Sequence, residues 1–277
     1  NGKGAKRDTR LQTGDVLQLY INDEFFDKPR EENLFLSIFQ PHLEIVYEDE
    51  NLLLVDKRPG LVVHADKTEK VNTLINHIQA YLYQKREWSP RQENAFTPAL
   101  CNRIDRNTGG IVIAAKNAET LRIINEKIRD HELEKSYLCV TAGRPKPPEG
   151  KIEGFLSKDE VKKLVTFHRR PVPGGRSAAT LYRTLETRGE LSLVECRLLT
   201  GRTHQIRVSM AEIGCPLLGD GKYGNGAVNR KYHETRQALY AYQLAFPFPT
   251  DAGLLNYLRG QCFTVKNVPF QEKYFPK

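Results

Sequence analysis

An α+β fold with a mostly antiparallel sheet is what this chain predicts, and three observations predict it. Short apolar runs recur along most of the length, separated by glycine and proline turns. Helical periodicity is confined to a few unevenly placed stretches. The regular strand–helix alternation that a doubly wound parallel sheet requires is missing.

Taken in order, residues 16–21 read as a strand, and residues 22–41, polar with Pro29 and Pro41, read as a linker. Residues 42–47 and 51–56 read as two strands joined at Glu48-Asp49-Glu50. Val71, Leu74, Ile75, Ile78 and Leu82 recur at helical spacing and predict an amphipathic helix over 71–83. Gly109-Gly110 reads as a turn before a strand at 111–115. Asn117 is placed to cap a helix running to Arg129, with Ala118, Leu121, Ile124 and Ile128 on one face. Strands follow at 136–142, 151–156, 161–168, 178–186 and 191–199. Thr203 is the expected cap of a helix reaching Met210 or Ile213, which Gly214 would end. Two more strands are expected near 237–246 and 260–266.

Composition narrows the function classes. The 277 residues carry 42 Lys+Arg against 34 Asp+Glu, a net charge of +8. Such an excess favours an anionic partner, nucleic acid first among them. The five cysteines are scattered, odd in number and form no C-x-x-C pair, which argues against a zinc site or a disulfide framework and for a reducing compartment. No apolar run approaches a membrane span of about 18 residues. The opening residues Asn1-Gly2-Lys3-Gly4-Ala5-Lys6-Arg7 do not resemble a signal peptide, so a cytoplasmic protein is expected.

Three segments could carry chemistry. In Arg103-Ile104-Asp105-Arg106 a carboxylate lies between two cations, a setting that favours its charged form. The same residues with Asn107-Thr108-Gly109-Gly110 also make good turn chemistry, and on local sequence the turn is the commoner reading. A calcium loop is rejected, because counting from Asp105 puts Lys116 where a bidentate Glu is needed. The second segment, Gly201-Arg202-Thr203-His204-Gln205-Ile206-Arg207, opens a helix with cations in its first turn, suited to a phosphate or simply to solvent. His204 and Ser209 lack the G-x-S-x-G context of a hydrolase, and the histidines show no metal-ligand spacing. The third offers Tyr137 at the start of a strand, either a plain strand aromatic or a flat face for a base.

Together and in this order, these segments strongly resemble the RluA-type pseudouridine synthases. The family block H-R-L-D-x-x-T-S-G is similar to Asn102-Arg103-Ile104-Asp105-Arg106-Asn107-Thr108-Gly109-Gly110, with Asn102 and Gly109 as departures. The family's strand tyrosine matches Tyr137, and its G-R-x-H-Q-I-R block matches Gly201 to Arg207 throughout. Residues 44–50 with Lys57-Arg58-Pro59-Gly60-Leu61-Val62-Val63-His64 resemble the family's opening hairpin, and Gly219-Asp220-Gly221-Lys222-Tyr223-Gly224 is similar to another family segment. The resemblance spans about residues 42–270. Residues 1–21 look like the end of an S-four-type RNA-binding domain.

The resemblance implies two parts: a remnant of that RNA-binding domain and linker over 1–30, and a catalytic domain over 42–277. The implied fold is the pseudouridine synthase fold, a bent, mostly antiparallel sheet with flanking helices and loops. The implied activity is isomerisation of uridines in rRNA or tRNA without metal or cofactor. Asp105 would act on the sugar, Arg207 would hold Asp105, and Tyr137 would stack on the base. Arg103, Arg202, Thr203, His204 and Gln205 would contact RNA. A monomer is the default. The rival reading is a non-catalytic RNA-binding or RNA-chaperone protein on the same fold. It explains the charge, but not the joint presence of Asp105, Tyr137 and Arg207.

Overall fold

The computed structural model describes residues 31–90 and 96–276, together with 4, 10, 12–16 and 18. The strand expected at 16–21 and the RNA-binding remnant over 1–30 therefore lie largely outside the described residues.

Among the described residues, eleven strands form one sheet. They are β1 (Glu44–Glu48), β2 (Leu52–Lys57), β3 (Ala99–Leu100), β4 (Gly109–Ala115), β5 (Glu134–Ala142), β6 (Glu149–Asp159), β7 (Leu164–His168), β8 (Arg176–Arg188), β9 (Leu191–Leu198), β10 (Leu239–Ala245) and β11 (Cys262–Thr264). Their order is β1-β2-β4-β10-β5-β9-β8-β6-β7, with β11 on β10 and β3 on β4. Each ladder is antiparallel except β4 with β10. The helices are α1 (Leu74–Gln84), α2 (Ala118–Arg129), α3 (Gln205–Glu212), α4 (Gly226–Lys231) and α5 (Pro269–Tyr274). Among the described residues, no helix is long and apolar enough to cross a membrane.

The period-two alternation of strand side chains sorts the core onto two faces. Leu52, Leu54, Ile111, Ile113, Leu138 and Val140 point to one face and pack with Ile123 and Ile124 of α2. Leu53, Val55, Val112 and Ala114 point to the other, under Leu74, Ile78 and Leu82 of α1. On that second face, Tyr137, Cys139, Val194 and Cys196 pack against Ile206 and Met210 of α3. Burying each of these large side chains contributes roughly 1.5–3 kcal/mol. The two clusters on the second face are joined by Ile104, which packs against both. The loop carrying Asp105 thus crosses the sheet between α1 and α3.

Several local outcomes differ from the sequence reading. Helix α1 starts at Leu74, because the Thr73 side chain accepts the Asn76 amide and caps it. Asn117 caps α2 as its position suggested, accepting from the Thr120 amide at 2.9 Å. The stretch read as linker contains a 3-10 helix, Glu31–Ser37. Its Phe35 is 1% exposed and lies edge-on to Tyr83 and Trp88. A catalytic-domain boundary at 42 therefore leaves out a segment that packs on α1. The short α4, α5 and β3 carry too few residues to show a period, and the sequence reading missed them.

Gly109 and Gly110 are not a turn but the first residues of β4, paired with Tyr240 and Ala241 of β10. Gly110 has φ +112°, and a β-carbon there would lie 2.2 Å from the Ala241 carbonyl oxygen. Gly110→Ala should therefore destabilise the protein by about 3–5 kcal/mol, from backbone strain plus overpacking. Denaturant titration checks this, and a loss below about 1 kcal/mol would mean that β4 and β10 separate easily.

Candidate active site

The loop from Cys101 to Thr108 is fastened at several points. The Cys101 amide donates to the Ile113 carbonyl at 2.8 Å, and Asn102 Oδ1 accepts the Ile113 amide at 2.8 Å. Asn102, a departure from the family pattern, thereby ties the loop to β4. The Thr108 amide closes a turn on the Asp105 carbonyl at 3.0 Å. From the end of β2, Lys57 Nζ donates to the carbonyls of Leu61, Arg106 and Arg58 at 2.8, 2.9 and 3.2 Å. Burial pushes the Lys57 ammonium down to about 7, against the pull of Asp105 and Asp56. Outside the cleft, Arg106 donates to Asp66 at 2.7 Å.

Arg207, one turn into α3, meets this loop. Its NH1 donates to Asp105 Oδ2 at 2.8 Å. Its Nε and NH2 form a bidentate fork on Asp220 at 2.7 and 2.9 Å. Asp220 also accepts the amides of Lys222 and Tyr223 through Oδ1. Burial raises the Asp220 carboxyl, but the hydrogen bonds and charge of Arg207 outweigh it and hold that group below its ordinary value. The Tyr223 ring lies 5.2 Å from the guanidinium carbon. Arg207 is therefore locked by buried partners on one side, while the Asp105 side chain keeps 28% exposure. A fixed cation holding a reachable carboxylate is an arrangement suited to chemistry on a bound ligand.

Tyr137 lines the same face and is 7% exposed. Burial first, and then the Asp105 charge, raise its phenol well above the ordinary value. His204 Nε2 lies 3.8 Å from Asp105 Oδ2, and its Nδ1 is 2.8 Å from the Tyr223 hydroxyl, which accepts the Val165 amide. Burial leads in lowering the His204 imidazole, so the neutral ring is favoured.

The remaining residues expected to contact RNA fall into different settings. Arg103 is exposed, and its charge acts on His64. Arg202 donates through Nε to the Ser177 carbonyl at 3.0 Å. Thr203 is exposed and does not cap α3. The cap position is His204, at φ 54° in the left-handed region, with no side-chain cap bond. Gln205, 2% exposed, closes the loop instead: its Oε1 accepts from Thr200 and the Arg202 amide, and its Nε2 donates to Ala179 and Thr180. Its amide is fully engaged within the protein, so it shapes the loop. The sequence reading gave no role to Asp220, Tyr223 or Lys57. The available signal was their presence in two of the similar blocks.

A mixed, largely antiparallel sheet with this acid in the loop before β4 is the arrangement of a pseudouridylate-synthase type of domain. The human RNA pseudouridylate synthase domain containing 4 shares the fold, with a TM-score of 0.63 at 22% identity, over 87% of this chain and 93% of that one. Residues 51–212 match the family described as RNA pseudouridylate synthase. The uncharacterized RNA pseudouridine synthase MG370 of Mycoplasma genitalium is 33% identical over 273 residues, covering 95% of this chain and 82% of that protein. The ribosomal large subunit pseudouridine synthase D of Neisseria meningitidis serogroup A is 33% identical over 269 residues, covering 93% of this chain and 67% of that protein. The chain belongs to the RNA pseudouridylate synthase family, and it is an enzyme that isomerises uridine in RNA to pseudouridine.

Proposed function

We propose that Asp105 is the reacting group, acting on the sugar of a uridine drawn out of a structured RNA. The observation that carries this is the geometry of Arg207, fixed by Asp220 and donating to a carboxylate that remains reachable. The glycosidic bond to N1 breaks, the base turns, a bond from C1′ to C5 forms, the C5 proton leaves and N1 takes up a proton, so that the product is an isomer. Asp105 serves this either by attacking C1′ and holding oxocarbenium-like charge, or by removing a sugar proton. Neither route requires a metal or cofactor.

Tyr137 supplies a stacking face for the uracil. Its raised phenol makes it a poor base, which favours stacking over proton removal. Extrusion leaves a gap in the RNA stack, and exposed Arg103, next to the acid, fills it or holds a flanking phosphate. Arg202, Thr203 and the His204 edge face the RNA backbone. The target is ribosomal RNA of the large subunit, as in the name of the Neisseria relative, or tRNA. The enzyme works as a monomer in a reducing compartment, the cytoplasm, consistent with five free thiols.

Incubating the protein with large-subunit rRNA and with tRNA, then mapping carbodiimide-reactive sites, tests the reading. New reactive positions should appear with no change in RNA mass. Unmodified uridines in both RNAs after prolonged incubation would refute the proposed substrates.

A further inference from the structure

We propose that a cavity at the far end of β5 and β9 is a binding site for the nucleotide that adjoins the extruded uridine, with Lys135 and Arg202 on its phosphate. This inference rests on the reading of Asp105 as the reacting group in RNA. The cavity holds about 430 Å³ and is lined by Lys135, Leu198, Arg202, His131, Arg197 and Glu134, among others. A volume of this order suits a small ligand of nucleotide size.

The position follows from strand geometry. Lys135 precedes Tyr137 by two residues on β5, so both side chains project to the same face, with Cα atoms about 7 Å apart. Leu198, on the cavity wall, packs against the cluster that contains Tyr137. Arg202 comes two residues before His204, whose imidazole faces Asp105. Ile128 and Leu133, from the core under α2, form the opposite wall, so the cavity sits at the strand ends where the two faces meet, about one nucleotide step from Tyr137.

The charges favour a phosphate. Glu134, the carboxylate in the lining, is already held by Arg197 at 3.3 Å. Arg129 at the rim is paired with Asp130. Among the described residues, no hydrogen bond or ion pair reaches Lys135 Nζ, and the terminal nitrogens of Arg202 have no partner either. Burial alone lowers the Lys135 ammonium, with no anion offsetting it. An unpaired, half-buried cation is unfavourable until an anion arrives, and a phosphodiester is the anion that RNA supplies.

Fluorescence anisotropy with the RNA pentamer AAUAA, whose single uridine fixes the register, tests the proposal. Lys135→Met should weaken binding about tenfold and lower the log–log salt slope by about one. Arg230→Gln, which removes an exposed cation on α4 away from the cavity, should leave affinity within about twofold. On the wild-type protein, a methylphosphonate at one of the two linkages flanking the uridine should cost a similar factor. That cost should vanish in Lys135→Met, the mark of a direct pair. Wild-type affinity in Lys135→Met, or equal binding of both methylphosphonate pentamers to the wild type, would overturn the site. If the wild type modifies rRNA and Lys135→Met behaves like it, only this site is wrong. If the wild type neither binds the pentamer nor modifies RNA, the reading of Asp105 is wrong and this site falls with it.

Discussion

Asp105→Asn should abolish pseudouridine formation, lowering turnover by at least about 10³-fold, while the protein stays folded and still binds RNA. Asparagine keeps the size of the side chain, and the Thr108 amide still closes the turn on the residue 105 carbonyl. Arg207 keeps its fork on Asp220. The stability loss should stay within about 2 kcal/mol, the scale of one charge-assisted hydrogen bond. Single-turnover conversion of a carbodiimide-mapped RNA, alongside a binding isotherm, measures both halves. Product at the wild-type rate would remove Asp105 from the mechanism.

Arg207→Met should do two separable kinds of damage. It strips the partner from Asp220, whose side chain is fully buried, and this should cost about 3–5 kcal/mol of stability. It also frees Asp105, so turnover at saturating RNA should fall even where the variant is folded. Adding Asp220→Asn removes the stranded charge and should recover most of the stability without restoring turnover. A double variant that regained wild-type turnover would show that Asp105 needs no guanidinium. The pair also fixes an acid limb for stability. Because Asp220 is held below its ordinary value, its contribution is complete at neutral pH and disappears as the pH falls through that lowered value.

The meeting of Asp105 and Arg207 was legible because both lie in short, ordered blocks. Asp105 and Arg207 come from segments about a hundred residues apart, yet each segment carried enough pattern to be paired with the other. The periodic elements α1, α2 and most strands were legible for a simpler reason: burial repeats along them. What stayed hidden depends on partners supplied by the fold. Phe35 sits in a short apolar run inside a stretch with prolines and charges, and Tyr83 and Trp88, far along the chain, help make it core. The glycines before β4 look like a turn until Tyr240 and Ala241 are beside them. Thr203 has the chemistry of a cap, but the left-handed His204 follows it, and Gln205 closes the loop from inside. Lys57 stood in the sequence only as part of a block, and nothing nearby in the chain announces that three carbonyls enclose it.

Ile104 gives this arrangement a reach beyond the cleft. Its side chain touches residues under α1 and residues under α3, next to the acid itself in sequence. Repacking beneath either helix should therefore shift Ile104 and, one peptide bond on, the carboxylate. Ile78 and Met210, one in each of these clusters, are thereby linked through Ile104 to the position of the Asp105 carboxylate.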